Sequence, residues 1–397
     1  MQHNISPIVY EIRSKPTTLG GAIGIPPNGL RLLHRLGVFE KMKQKGAETS
    51  DMAFHSTNGG DLGQMSMISW TRDQIGFGYL RIKRADLMDV LLSAAEEAAI
   101  PIIYNKSLSG ITENDGKVTV SFSDESYSSA DFLLGCDGIH SAVRRLWVDP
   151  ECVPEYSGIA NMFSLIPTSQ LSSAAPLKDK VCMTLTSDGL FGVSPADSSE
   201  HFLYWFFSRE IPIPVSGDIR DGWEERGQKE IESCKAFMLD LLGEERSAWI
   251  DGLREIVLKT ATMKFYPVYK IPPGRPWSKG RCLLIGDAAH AMPPHASQGY
   301  SMALEDIFLF SKLLGTNANS LADGLRVYKE KRKLRIDKML KIAERNRTIR
   351  HKISPFRLRA IEKGVGAVLW VYKMIHLEKL GLGQRPLIYC VDDEELK

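Results

Sequence analysis

Residues 280–314 read GRCLLIGDAAHAMPPHASQGYSMALEDIFLFSKLL, and no other stretch constrains the fold as much. The apolar run at 282–285 reads as a buried strand, and Asp287 follows just past its carboxyl end. Open α/β sheets bind ligands at that edge. Pro293 and Pro294 stiffen the next loop. Gly299 then precedes a helix whose free N–H groups favour negative charge or electron-rich groups. It also removes a Cβ where something flat or bulky must approach the backbone. A carboxylate fixed beside a helix N-terminus accepts hydrogen bonds from sugar or polyol hydroxyls. In isolation, Gly-Asp-Ala would be no more than a capped turn.

The first third of the chain alternates strand and helix. Ile8, Val9 and Tyr10 read as a short strand with Glu11 at its end, 27–43 as a helix begun by Pro26-Pro27-Asn28, and 51–80 as loops and short strands. A second helix covers 86–98, with Leu87, Val90, Leu91, Ala94 and Ala98 on one face. Residues 102–104, 117–122 and 131–138 read as strands. The middle differs: 181–186, 190–196, 201–208 and 262–271 read as antiparallel strands, with a helix over 224–242. Tyr204 and Trp205 point to opposite faces of one of them. One face would line an aromatic cavity and the other pack in the core, with the assignment open. The whole is an α/β chain. A nucleotide-type domain is expected over 1–150 and 275–345, interrupted by a sheet domain over 151–274 and followed by a helical extension over 346–397.

Two more stretches carry chemistry. In LLGCDGIHSAVRR (133–145), Asp137-Gly138 is a turn dipeptide, and Ser141, Arg144 and Arg145 stand where a helix would start and could meet phosphate. In YLRIKRADLMDVLLSAA (79–95), Arg84 leads a helix, the end at which the dipole disfavours a cation. A bound pyrophosphate would reverse that balance.

Together, 8–37, 79–95, 131–145 and 280–306 resemble, in order and rough spacing, the class A FAD-dependent monooxygenases, the flavoprotein aromatic hydroxylases of salicylate hydroxylase type. The resemblance implies a Rossmann-like FAD-binding domain with an inserted antiparallel substrate domain and C-terminal helices. It implies that Asp287 holds the ribitol chain, that Arg84 of the R-x-x-L motif contacts FAD, and that Glu11 takes the ribose hydroxyls. Gly21, Ala22 and Gly299 would give the cofactor room, and Asp137 of the DG motif would serve FAD and NAD(P)H pyrophosphate contacts. Tyr300 stands where the family commonly has a small residue, so it would crowd or stack on the flavin. The implied reaction uses NAD(P)H, FAD and O2 to hydroxylate an aromatic or polyketide-like small molecule, with a place in secondary metabolism expected. Isoprenoid epoxidation is the alternative within the class. No side chain stands out as a catalytic acid or base.

The family opens with a strand and a GxGxxG turn leading into a helix, and this sequence contains no GxGxxG. That strand would be central in the sheet, each large apolar side chain worth about 1.5–3 kcal/mol, against a domain stability of about 5–15 kcal/mol. The expectation is that the recorded start misses upstream coding sequence. The alternatives are a true short form that binds FAD weakly, and an FAD-free remnant that binds a small molecule or a partner protein.

Other classes find little support. The formal charge of +2 gives no reason to expect nucleic acid. Residues 328–352 hold eleven Lys or Arg against three acids, read as a solvated helical face. The six cysteines form no CxxC pair, which points to a reducing, cytoplasmic compartment. His290 and His295 lie close together but lack a third ligand, so no metal is expected. The apolar stretch 365–375 is too short to span a bilayer and reads as a packed helix, with docking on a membrane surface the lesser reading.

Overall fold

The computed structural model describes residues 5–18, 20–172, 180–212, 221–315 and 321–395, and of 221–230 only the backbone. The chain begins β1 (Val9–Tyr10), β2 (Ala22–Ile25), α1 (Pro27–Arg35), α2 (Phe39–Lys45), β3 (Ala47–Thr49), β4 (Asp51–Ser56), β5 (Asp61–Ser66) and α3 (Ser69–Ile75). It continues through β6 (Tyr79–Lys83), α4 (Arg84–Glu97), β7 (Ile102–Ile103), β8 (Leu108–Asn114), β9 (Lys117–Phe122), β10 (Tyr127–Ala130) and β11 (Leu133–Gly135). Then follow β12 (Glu155–Pro167), β13 (Lys180–Thr186), β14 (Gly189–Pro195), β15 (Phe202–Glu210), α5 (Asp221–Leu241), α6 (Ala248–Lys259) and β16 (Lys264–Lys270). The last part holds β17 (Ser278–Lys279), β18 (Cys282–Leu284), α7 (Asp287–His290), α8 (Gly299–Leu314), α9 (Leu321–Arg347) and α10 (Pro355–Met374).

The largest sheet has seven strands in the order β16-β12-β15-β14-β13-β4-β5. All its pairs are antiparallel except β13 with β4, where Lys180 lies opposite Asp51. Trp205, Phe207, Phe191 and Met162 on one face pack against Met238 of α5 and Ile250, Leu253 and Val257 of α6. Each such side chain contributes about 1.5–3 kcal/mol. This settles the open assignment on β15: Trp205 is core, and its Nε1 donates to Thr260 Oγ1 at 2.9 Å. Tyr204 faces the other way.

The nucleotide-type part is a mixed α/β body. β11 runs parallel to β18, and β1 parallel to β7. A second core joins Val118, Val120 and Phe122 to Leu283, Leu284, Leu309 and Tyr328, with Tyr10 and Leu133 leaning on it. Among the described residues β1 pairs only with β7, and β11 only with β18, so the parallel sheet is in two pieces with a free edge on each. Ile8, Val9 and Leu134, apolar residues at these edges, are exposed.

Several expectations need correction. The helix expected over 27–43 is two helices, because Gly37 takes the left-handed conformation, φ +75°, between α1 and α2. Residues 51–80 supply two strands to the large sheet and the short helix α3. The basic run 328–352 is not simply a solvated face: Arg332, Arg335 and Arg350 are buried. In α10, Leu358, Leu369 and Tyr372 are buried, while Val368, Trp370, Val371 and Met374 stay exposed. No helix among the described residues is long and apolar enough to cross a membrane.

Candidate functional site

β18 ends at Leu284, and two residues on, Gly286, with φ +59°, lets the chain turn sharply into α7 and present Asp287. Asp306, two turns into α8, fixes this turn. Its Oδ2 accepts from Gly286 N–H at 2.9 Å and shares a 2.7 Å hydrogen bond with His290 Nε2. Its Oδ1 accepts from Arg332 Nε at 2.7 Å. Arg332 also donates to Glu305 Oε2 at 2.8 Å, and Arg335 to Glu305 Oε1 at 3.0 Å. Asn28 Nδ2 reaches the same Glu305 oxygen at 2.8 Å and Gln298 Oε1 at 3.0 Å, tying α1 to the start of α8. Burial alone would push the Asp306 carboxyl up, but His290 and Arg332, with the His290 and Gly286 hydrogen bonds, hold it down at about 2.

Asp287 itself is exposed to solvent, yet protein packs closely around its carboxyl. That enclosure pushes its carboxyl above the usual value; His290 and Arg84 pull it down, and Asp306 adds to the rise. Arg84, the first residue of α4, is exposed and within electrostatic range of Asp287, so residues 203 positions apart in sequence meet. Arg84 N–H donates to Gly21 O at 2.9 Å, which joins α4 to the loop before β2. A Cβ on Gly20 would lie 2.0 Å from Arg84 Cδ, and one on Gly21 would lie 2.7 Å from Tyr204 Cε2 and 3.2 Å from Phe163 Cδ2. This loop is therefore pressed between Arg84 and the free face of the large sheet. Ala22 is buried at the start of β2.

Gly299 opens α8, and a Cβ there would meet only Asp287 Oδ1, at 3.9 Å. Tyr300 packs against the core of β2, α1 and β6, and burial pushes its phenol up to about 12. Glu11 stands at the end of β1, where its Oε1 accepts from Arg13 N–H at 2.8 Å; no contact links it to Arg84 or Asp287. Asp137 is exposed and caps the backbone that follows, its Oδ2 accepting from Ala142 N–H at 2.6 Å and Val143 N–H at 3.1 Å.

The phosphate reading of Ser141 and Arg144 changes. Both are buried: Ser141 Oγ accepts from Arg144 N–H, and the guanidinium donates to Ala288 O at 2.7 Å and to Ile139 O. Arg144 braces α7 from behind, and Arg145 is the exposed one of the pair. His290 belongs to the Asp306 network. His295 is buried with Nε2 unpartnered among the described residues, and burial, with Arg350 and Arg347 nearby, lowers it to about 2.

Asp306 and Arg332 gave no signal in sequence, being common residues on helices. Arg81 carries a faint one: in YLRIK, Tyr79, Arg81 and Lys83 alternate with the core residues Leu80 and Ile82.

Comparison with known proteins adds a second line. The family model described as "FAD binding domain" matches residues 2–217 and 273–343. The 6-hydroxynicotinate 3-monooxygenase of Bordetella bronchiseptica is 25% identical over 351 residues, covering 87% of this chain and 86% of that one. The salicylate hydroxylase of Pseudomonas putida is 26% identical over 337 residues, covering 80% and 74%. Among solved structures, Klebsiella pneumoniae HpxO complexed with FAD and uric acid superposes with a TM-score of 0.76 at 22% identity, over 96% of this chain and 90% of that one.

Proposed function

This chain belongs to the class A FAD-dependent monooxygenases, with FAD as its cofactor, and we propose that it uses NAD(P)H and O2 to hydroxylate a small aromatic molecule. What supports the reading is that Arg84 lies within electrostatic range of Asp287, with Gly20 against Arg84, Gly21 against the Tyr204 and Phe163 rings of β15 and β12, and Gly299 facing Asp287. The donor set suits FAD: a guanidinium for phosphate, carboxylates for sugar and ribitol hydroxyls, and backbone without a Cβ at Gly299. FAD held there would supply the redox chemistry, taking electrons from NAD(P)H and activating O2, one atom of which would go to the substrate.

The protein's part is placement and water exclusion. Arg84 and Asp287 would hold the cofactor from opposite sides, with Glu11 on the ribose and Asp137 near the phosphates. Asp306, His290, Arg332 and Arg144 keep the Asp287 turn rigid. Phe163 and Tyr204, the rings against Gly21, would keep water from the reacting atoms. Relatives named for hydroxylating hydroxynicotinate and aminohydroxybenzoate support ring hydroxylation over epoxidation.

The test is NAD(P)H oxidation by the purified protein with a panel of phenolic and heteroaromatic compounds under 18O2. Substrate-dependent oxidation with one labelled oxygen in the product is expected. Oxidation without an oxygenated product from any ring compound would overturn the proposal.

A further inference from the structure

On β6, Arg81 and Lys83 face the large sheet, over Tyr204 and Phe202 of β15. Lys83 sits over the Phe202 ring at 4.8 Å and is paired with Asp86 at 3.2 Å and Asp197 at 3.7 Å. Arg81 is different. Its guanidinium lies 5.3 Å from the Tyr204 ring centroid and 5.8 Å from that of Tyr79. Among the described residues its one side-chain hydrogen bond is a long 3.5 Å contact from Nη2 to Tyr79 Oη, and its Nε has no partner. The residue is 8% exposed, and no carboxylate among the described residues forms an ion pair with it. A buried cation without a counter-charge is costly, and structures avoid it unless a ligand supplies the charge.

The surroundings are built for a polar group. Thr49, opposite Tyr79 in β3, and Ser194, opposite Tyr204 in β14, are buried, and neither hydroxyl has a partner among the described residues. Both lie on the faces that meet at Arg81. The Tyr204 ring that Arg81 covers also presses on Gly21, whose carbonyl accepts from Arg84 N–H at 2.9 Å, so Arg81 and Arg84 share one side of the sheet. Gly21, pressed on Tyr204, belongs to the same wall.

We propose that Arg81 is the substrate's anion receptor, binding the carboxylate of an aromatic acid between β6 and Tyr204, with the Thr49 and Ser194 hydroxyls as further donors. This rests on the hydroxylase reading and narrows its substrate to aromatic carboxylic acids. Arg84 then serves the cofactor and Arg81 the substrate, three residues apart on one strand-to-helix junction.

The test is calorimetric titration of the purified protein with salicylate, 4-hydroxybenzoate and 6-hydroxynicotinate, each beside its neutral carboxamide. At least one acid should bind about ten- to a hundredfold more tightly than its amide, the worth of a charge-assisted hydrogen bond. Arg81→Gln should erase that preference, and Arg81→Lys should keep part of it. Melting temperature is read in parallel: loss of an unpaired buried charge should leave ligand-free Arg81→Met at least as stable as the unsubstituted protein. Equal binding of every acid and its amide, or an acid preference that survives Arg81→Gln, would overturn the proposal. Flavin content and product formation are scored separately. Acid binding through Arg81 without hydroxylation would sink only the activity, and hydroxylation of neutral phenols independent of Arg81 would sink only this assignment.

Discussion

Replacing Arg332 by Met removes the cation that bridges Glu305 and Asp306, the two buried carboxylates of α8. Breaking a buried pair from one side costs about 3–5 kcal/mol, because the remaining charge is left uncompensated. Here the carboxylates keep other partners: Asp306 retains His290 and Gly286 N–H, and Glu305 retains Arg335 and Asn28. The lower end, about 3 kcal/mol, is therefore expected. Arg326→Met is the control, since its pairs with Asp323 and Glu330 are exposed and worth about 0–1 kcal/mol. Urea unfolding followed by tryptophan fluorescence reads the difference, and flavin retained at each urea concentration reads the site. Because Asp306 holds the turn that presents Asp287, flavin should leave Arg332→Met before the chain unfolds. A loss no larger than the control's would refute the reasoning, and a large loss with normal flavin retention would refute the positioning role.

Other outcomes follow from the same geometry. Asp306 is depressed to about 2, so it contributes stability above the usual carboxyl value of about 3.9 and loses it as pH falls from there toward 2; acid unfolding should fall in that window and move to higher pH in Arg332→Met. Gly299→Ala adds a Cβ that meets only Asp287 and improves helix propensity, so melting should hold or rise while FAD affinity falls at least tenfold if the cofactor lies there. Gly21→Ala drives a Cβ into Tyr204 and should cost about 1–3 kcal/mol, much of it recovered in the Gly21→Ala/Tyr204→Leu double variant by chemical unfolding.

The parts of the fold legible in sequence were those whose signal is local. The strand at 282–284 and its Asp287 turn, α4 starting at Arg84, and the alternation of β15 all appear near where the residue pattern puts them. What sequence hid depends on partners far away. β4 joins the large sheet only by lying parallel to β13, more than 120 residues on, so 51–80 reads as loops and short strands with nothing to say which sheet they enter. The basic residues of α9 looked solvated because their acids, Glu305 and Asp306, sit on another helix. Arg144 read as a phosphate ligand because its carbonyl partners, Ile139 and Ala288, carry no sequence signature. Arg81 was overlooked because a charge on an alternating strand is ordinary until burial shows it to be unpaired.

The most direct measurement is the FAD dissociation constant, by quenching of free flavin fluorescence, for the unsubstituted protein, Arg84→Met and Asp287→Ala. Folded variants that each bind FAD at least tenfold more weakly than the unsubstituted protein would agree with two distant residues closing on one flavin nucleotide. Undiminished affinity in both would contradict it.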